Sequence, residues 1–298
     1  MPASSKSSII ETRDIVARVD QAIAGFLDHR GLPENLDAAI RYAILGGGKR
    51  LRPVLAWRSA EACGADGSNS LAAGVAVELI HAFSLVHDDL PAMDDDDMRR
   101  GRPTLHIHAG EAMAILAGDA MLTLAFEAAT DPSFGLDPAT ISSLLGELCA
   151  GTSAMIAGQV YDTLGGFDDD LGEEARLKLI HRNKTGALIR ASCRMGAICA
   201  HASDAQLGSI TAYSEAIGLQ FQVVDDLLDA EGDSATVGKA TGKDADAGKL
   251  TYPGVVGIEE SRRIAKELHD RAERSASALG ASGRGLVDLL EQLTHRTH

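Results

Sequence analysis

The residues with the greatest chemical potential form the stretch His87-Asp88-Asp89-Leu90-Pro91-Ala92-Met93-Asp94-Asp95-Asp96-Asp97-Met98-Arg99-Arg100-Gly101, in which six aspartates fall within ten positions. A lone charge run is usually a solvated face. Here the segment leading into it carries Leu71, Val75, Leu79, Phe83 and Val86 at helical spacing, so Asp88 is set beside an apolar stripe. Carboxylates about 4 Å apart repel by roughly 4 kcal/mol per pair at an effective dielectric near 20. Their convergence calls for a divalent cation. All-oxygen ligands point to magnesium or manganese, and the spacing of a calcium EF-hand loop is missing.

A second acidic cluster lies far along the chain, Gln222-Val223-Val224-Asp225-Asp226-Leu227-Leu228-Asp229. At about 100° per residue, Gln222, Asp225, Asp226 and Asp229 are expected on one helix face, as are His81, Ser84 and Asp88 on the earlier helix. Two such clusters, each on a helix with an apolar opposite face, suggest opposed acidic walls around a metal-bound diphosphate. The cations fit that picture. Lys49, Arg50 and Arg52 follow a triple glycine, Arg99 and Arg100 close the first acidic stretch, and Lys239, Lys243 and Lys249 stud a Gly-rich segment after the second. Lys184-Thr185-Gly186 interrupts an apolar run, where a lysine is costly unless paired or snorkelling. Arginine supplies bidentate oxygen recognition and lysine a point charge. Gly46–Lys49 is not a P-loop, because G-x-x-x-x-G-K-[ST] is absent.

The elements that must position these groups read as helices. Periodic segments span Asp14–His29, Asn35–Leu45, Pro53–Cys63, a long helix to Asp89 capped by Asn69 or Ser70, Glu111–Ala129, Pro138–Leu164, Glu173–Ala200, Asp204–Ala230, Val255–Ala278 and a last one from about Gly285. No period-2 alternation persists and aromatic content is 4%, which disfavours a β-sandwich. One large all-α domain over residues 1–298 is expected, with 1–13 as a flexible tail. The net charge of −15 argues against a nucleic-acid partner, which needs a basic face. Four scattered cysteines read as buried thiols in a reducing compartment. With no apolar run of spanning length expected, the protein is placed in the cytoplasm.

In their order, GGGKRLRP (Gly46–Pro53), HAFSLVHDDLPAMDDDDMRRGRPT (His81–Thr104), GQVYD (Gly158–Asp162), KTG (Lys184–Gly186), FQVVDDLLD (Phe221–Asp229) and VGKATGKDADAGKLTYP (Val237–Pro253) resemble the bacterial trans-isoprenyl diphosphate synthases, most of all the farnesyl diphosphate synthase branch. The resemblance runs from about residue 36 to 270. It implies an all-α homodimer of ten or more helices per subunit around a central cavity. Asp88, Asp89, Asp94, Asp225, Asp226 and Asp229 would then hold three magnesium ions against an allylic diphosphate. Lys49, Arg52, His81 and Arg100 match the isopentenyl diphosphate site. Arg99, Lys184, Lys239 and Lys249 match the cations on the allylic diphosphate, and Thr185 and Gln222 line its reacting carbons. Phe83 and Ser84 match the positions that limit product length. Geranylgeranyl synthesis in the same family is the alternative. A class I terpene cyclase is a weaker rival, because its N/D-D-x-x-S/T-x-x-x-E second motif is replaced by D-D-x-x-D. One departure stands out: some relatives end in a basic tail over the isopentenyl site, and here only Arg296 is fully charged near the end.

Overall fold

Every long apolar repeat in the sequence folds as helix in the computed structural model, which describes residues 10–231 and 250–294. The architecture is all-α. Helix α1 (Thr12–Leu27) buries Ile15, Val19, Ile23, Phe26 and Leu27, a stripe of helical period. It begins inside the segment expected to be a tail, so Thr12 and Arg13 are helical. After α2 (Glu34–Ile44) and α3 (Leu51–Ala62) comes a 3-10 turn, Gly67–Ser70. Its cap is Asp66, whose carboxylate accepts the Ser68 N–H at 2.8 Å. Ser70, expected as the cap of α4 (Leu71–Asp88), instead donates its hydroxyl to Gly67 O.

Between α4 and α6 (Glu111–Thr130) lie a two-residue-per-strand hairpin, β1 (Met98–Arg99) and β2 (Arg102–Pro103), and a short α5 (Leu105–Ala109). Neither was legible by periodicity. Helix α7 (Pro138–Leu164) starts where Asp137 accepts the N–H groups of Ala139 and Thr140, with proline at the first helical position. The expected helix 173–200 divides into α8 (Glu173–His181), a π-helical turn (Arg182–Gly186) and α9 (Ala187–Cys199). Next come α10 (Asp204–Glu231), α11 (Tyr252–Val256), α12 (Ile258–Ser277) and α13 (Arg284–Thr294). The expected helix 255–278 breaks at Gly257, whose φ of +84° ends α11.

The main core gathers α1–α4, α6, α7, α9 and the buried faces of α10, α12 and α13. A satellite core of Leu177, Val223 and Tyr252, with Leu219, Leu227 and Leu268 packed on it, sits between α8, α10, α11 and α12. Two expectations need correction. Cys149 is exposed and Cys63 half-buried, and only Cys193 and Cys199 are enclosed; all four are free thiols. Among the described residues three segments are long and apolar enough to cross a membrane by composition: Gly67–Asp88, Glu111–Thr130 and Pro138–Leu164, of mean hydropathy 1.5, 1.5 and 1.2. For the first, 72% of the apolar window is buried inside the protein, so its hydropathy reflects a core helix. The α6 and α7 segments leave Ile115, Leu116, Ile156, Val160 and Leu164 exposed.

The α3–α9 crossing is set by Gly196: a Cβ there would lie 2.0 Å from Ala56 O, so only glycine lets the two backbones meet. Gly196→Ala is expected to lower stability by about 1–3 kcal/mol, the range for overpacking a close contact. Urea unfolding checks this, and an unchanged midpoint would refute the contact.

Candidate active site

The first acidic group is shaped by a turn at the end of α4. Asp94 N–H donates to Asp88 O at 2.8 Å, Met93 and Asp95 N–H both donate to Leu90 O, and Asp95 takes a positive φ of 53°. The chain thereby folds Asp94 back toward Asp88. Burial pushes the Asp88 carboxyl up to about 6; nearby Lys184 pulls it down, while Asp94 and Asp89 push it further up. Asp89 is 3% exposed and is gripped by Arg99, with Nε 2.8 and 3.0 Å from its two oxygens and Nη2 2.6 Å from Oδ1.

Lys184 reaches this group from the π-helical turn. Its Nζ lies 2.6 Å from Asp162 Oδ2, the partner that the sequence demanded without naming. The turn is pressed against α7: a Cβ on Gly158 would lie 2.1 Å from Lys184 N. Asp162 and Gly158 both belong to the GQVYD segment, so its fixed spacing was the signal for this contact. Thr185 is half-buried in the same turn. π-turns often occur at functional sites.

On α10 the expected single face divides. Asp225 is exposed, Gln222 and Asp229 are half-buried, and Asp226 turns into the satellite core, 6% exposed. One step of 100° separates Asp226 from Asp225, and Tyr252 N–H fastens it at 2.8 Å through Oδ2. Lys239, Lys243, Lys249 and Arg296 lie outside the described residues.

A cationic group stands beside the first acidic group. Arg50, at φ +47°, is buried and pairs with Glu78 at 2.8 Å and Asp20 at 2.7 Å, so its role is structural. Arg52 is held down at about 10 by burial, with Glu78 opposing and Arg100 adding to the shift. Its Nε is buried without a hydrogen-bond partner among the described residues. His81 is pushed well below its ordinary value by burial, then by Arg52, Arg100, Arg99 and Arg50. An opening of about 550 Å³ runs past His81, Asp89, Arg99, Arg100 and Tyr42. Arg52 is not among its lining side chains, and Lys49 is exposed. Arg100 donates to Gly47 O, which ties the hairpin to the triple glycine. Like charges held this close attract an anion with several oxygens.

The donor set suits a hard divalent cation: oxygen ligands only, and an Asp88 carboxyl raised by burial and further by neighbouring carboxylates. Among the described residues no three such groups already converge on one point. Waters and substrate oxygens would complete the coordination, as magnesium favours.

The polyprenyl synthetase profile matches residues 33–281. The chain is 46% identical over 237 residues to a farnesyl diphosphate synthase of Haemophilus influenzae, covering 78% of this chain and 80% of that one. It is also 46% identical over 253 residues to the chloroplastic geranylgeranyl pyrophosphate synthase 11 of Arabidopsis thaliana, 83% of this chain and 70% of that one. A crystal structure of an FPP/GFPP synthase from Zymomonas mobilis superposes with a TM-score of 0.82 at 32% identity, covering 94% and 96% of the two chains. An all-helical enzyme with this family match is a trans-prenyltransferase. The chain belongs to the polyprenyl synthetase family, whose members use divalent metal ions.

Metal coordination requires an ionised carboxylate, so with Asp88 as a ligand protons would compete with the metal there. With that carboxyl raised to about 6, the magnesium concentration for half-maximal turnover is expected to rise as pH falls from 7.5 to 5.5. EDTA should abolish turnover at either pH. Metal titrations at the two pH values check this, and superimposable curves, or activity that survives EDTA, would refute it.

Proposed function

We propose that this enzyme condenses isopentenyl diphosphate with dimethylallyl or geranyl diphosphate and stops at farnesyl diphosphate. The observation that carries the reading is the adjacency of two charge groups: Asp88 within electrostatic reach of Lys184, and His81 crowded by Arg52 and Arg100. Arg52, His81 and Arg100, with Lys49 at the rim, would hold isopentenyl diphosphate. Lys184 and Arg99, with Lys239 and Lys249, would hold the allylic diphosphate, whose metal ions would be bound by Asp88 and Asp94 on one side and Asp225 and Asp229 on the other. Three magnesium ions bound there would supply positive charge against the departing diphosphate.

The chain's own residues do the rest. Lys184, held by Asp162, presents a point charge to the bridging oxygen side of the allylic substrate. Thr185 and Gln222 flank the carbon that becomes cationic. The isopentenyl double bond attacks that carbon, the C–O bond breaks, and the released diphosphate takes the proton. The apolar wall below Asp88, with Phe83 7% exposed, keeps water from the cation.

We read the molecule as a homodimer joined through the apolar faces of α6 and α7, where Ile115, Leu116, Ile156, Val160 and Leu164 are exposed. The free thiols agree with a reducing, cytoplasmic location. Geranylgeranyl diphosphate as product is the second reading, favoured by the 46% identity to the Arabidopsis thaliana enzyme.

Two experiments test these assignments. Arg52→Ala or Lys49→Ala is expected to raise the KM for isopentenyl diphosphate by about tenfold, the loss of a charge-assisted hydrogen bond. Lys184→Ala should instead raise the KM for geranyl diphosphate or slow turnover. Varying each substrate in turn decides it, and equal effects on both substrates would refute the division. For product length, Phe83 lies about 7.5 Å down the α4 axis from Asp88, at 1.5 Å per residue. Phe83→Ala is expected to yield geranylgeranyl diphosphate or longer products in chromatography of the dephosphorylated mixture. An active variant that still stops at farnesyl length would place the floor elsewhere, at Met113 or Leu116.

A further inference from the structure

Tyr252, Asp226 and His181 form a buried cluster that no step of the proposed reaction uses; they are 0%, 6% and 8% exposed. Asp226 Oδ2 accepts the Tyr252 N–H at 2.8 Å. The same oxygen lies 3.4 Å from His181 Nε2, in an oblique contact that is electrostatic and not a well-aligned hydrogen bond. The Tyr252 ring stacks on the imidazole, with centroids 5.6 Å apart and planes 15° apart. This fixes the imidazole edge toward Asp226.

The location gives the contact its meaning. His181 is the last residue of α8, and the π-helical turn Arg182–Gly186 continues directly from it. Lys184 is three residues on. Asp226 belongs to α10, one residue from Asp225 and three from Asp229. At the far end of the same turn, a Cβ on Gly218 of α10 would lie 3.0 Å from Gly186 Cα. The turn is therefore seated on α10 at both ends, by backbone packing at Gly186 and by the polar contact at His181. Among the described residues the buried carboxylate takes a backbone donor, the Tyr252 N–H, and the imidazole edge lies beside the same oxygen as a further polar neighbour.

We propose that His181 is a positioning residue, holding the turn that presents Lys184 in register with the acidic cluster of α10. Asp226 serves as the anchor for that hold. Each residue lies too far inside the satellite core to act on substrate, and their effect passes through Lys184. This rests on the reading that Lys184 grips the allylic diphosphate.

The test uses the full chain with His181→Phe, which keeps the ring for the Tyr252 stack and removes the polar edge. His181→Gln keeps a donor. Displacing a catalytic group by a fraction of an ångström is costly, so His181→Phe is expected to raise the KM for geranyl diphosphate and lower kcat, each by about tenfold. The KM for isopentenyl diphosphate should stay within about twofold, and His181→Gln should recover most of the loss. Because both changes act through one lysine, Lys184→Ala/His181→Phe should be no worse than Lys184→Ala alone. Wild-type kinetics in His181→Phe would overturn the proposal. So would a loss shared equally by both substrates with a lowered Tm, or effects that multiply in the double variant. Lys184→Ala with an unchanged KM and kcat would instead overturn the underlying role of Lys184.

Discussion

Like charges held together under partial desolvation are the constraint on which the rest of this structure depends. On one side Asp88 is enclosed at the end of an apolar helix with Asp94 and Asp89 beside it, and its carboxyl rises to about 6. On the other, His81 is kept neutral by burial and by four arginines, and Arg52 is depressed to about 10. Neither group is comfortable alone. Desolvated like charges relax only when an opposite charge arrives, and a metal-bound diphosphate carries both signs. The strain is tolerated because neighbouring pairs are complete. Arg50 is satisfied by Glu78 and Asp20, and removing one partner of such a buried pair costs about 3–5 kcal/mol.

The two acidic motifs divide their aspartates in the same way. In each, the second carboxylate is buried and bonded: Asp89 to Arg99, Asp226 to Tyr252 N–H. The residue before it in sequence is the less buried of the two: Asp88 is half-buried and Asp225 exposed. Consecutive residues on a helix are turned about 100° from each other, so one aspartate can face a cavity while the next turns toward the neighbouring element. The buried member becomes a fastener for the next element, the hairpin in the first motif and α11 in the second. This also explains why the hairpin and α11 exist as such short elements. Each is held by one charged or polar contact to an acidic helix and needs little core of its own.

Most of the frame was legible because its signal is apolar periodicity. The stripe of Ile15, Val19, Ile23 and Phe26 and the proline start at Pro138 predict their helices to within a residue or two. The π-helical turn was not legible: the polar Lys184-Thr185-Gly186 interrupts an apolar run that was expected to stay one helix over 173–200, and the irregularity accompanies backbone packing at Gly158 and Gly186. Lys184's need for a partner followed from its apolar surroundings, but Asp162 is 22 residues away and joins it only through the α7–α9 packing. The division of Asp225 from Asp226 was likewise hidden. Both are aspartates on one helix, and only the satellite core, assembled partly from α11 and α12, decides which turns inward.

The same identity, 46%, links this chain to a farnesyl and to a geranylgeranyl enzyme, and the structure explains how that can be. The charged residues sit at the ends of α4 and α10 and in the turns beside them, whereas in the proposed reading the limit on the tail would lie among apolar side chains deeper along α4. Phe83 meets the His87 ring edge-on at 5.8 Å, and His87 rests in a notch where Gly118 of α6 has no side chain. His87 Nε2 also lies 3.2 Å from Ile115 O. A change at any of these positions would alter the space below Asp88 without touching a charge. In this reading, bond making depends on electrostatics at the opening, while product length depends on packing along the α4–α6 seam. The two can therefore diverge independently within one family.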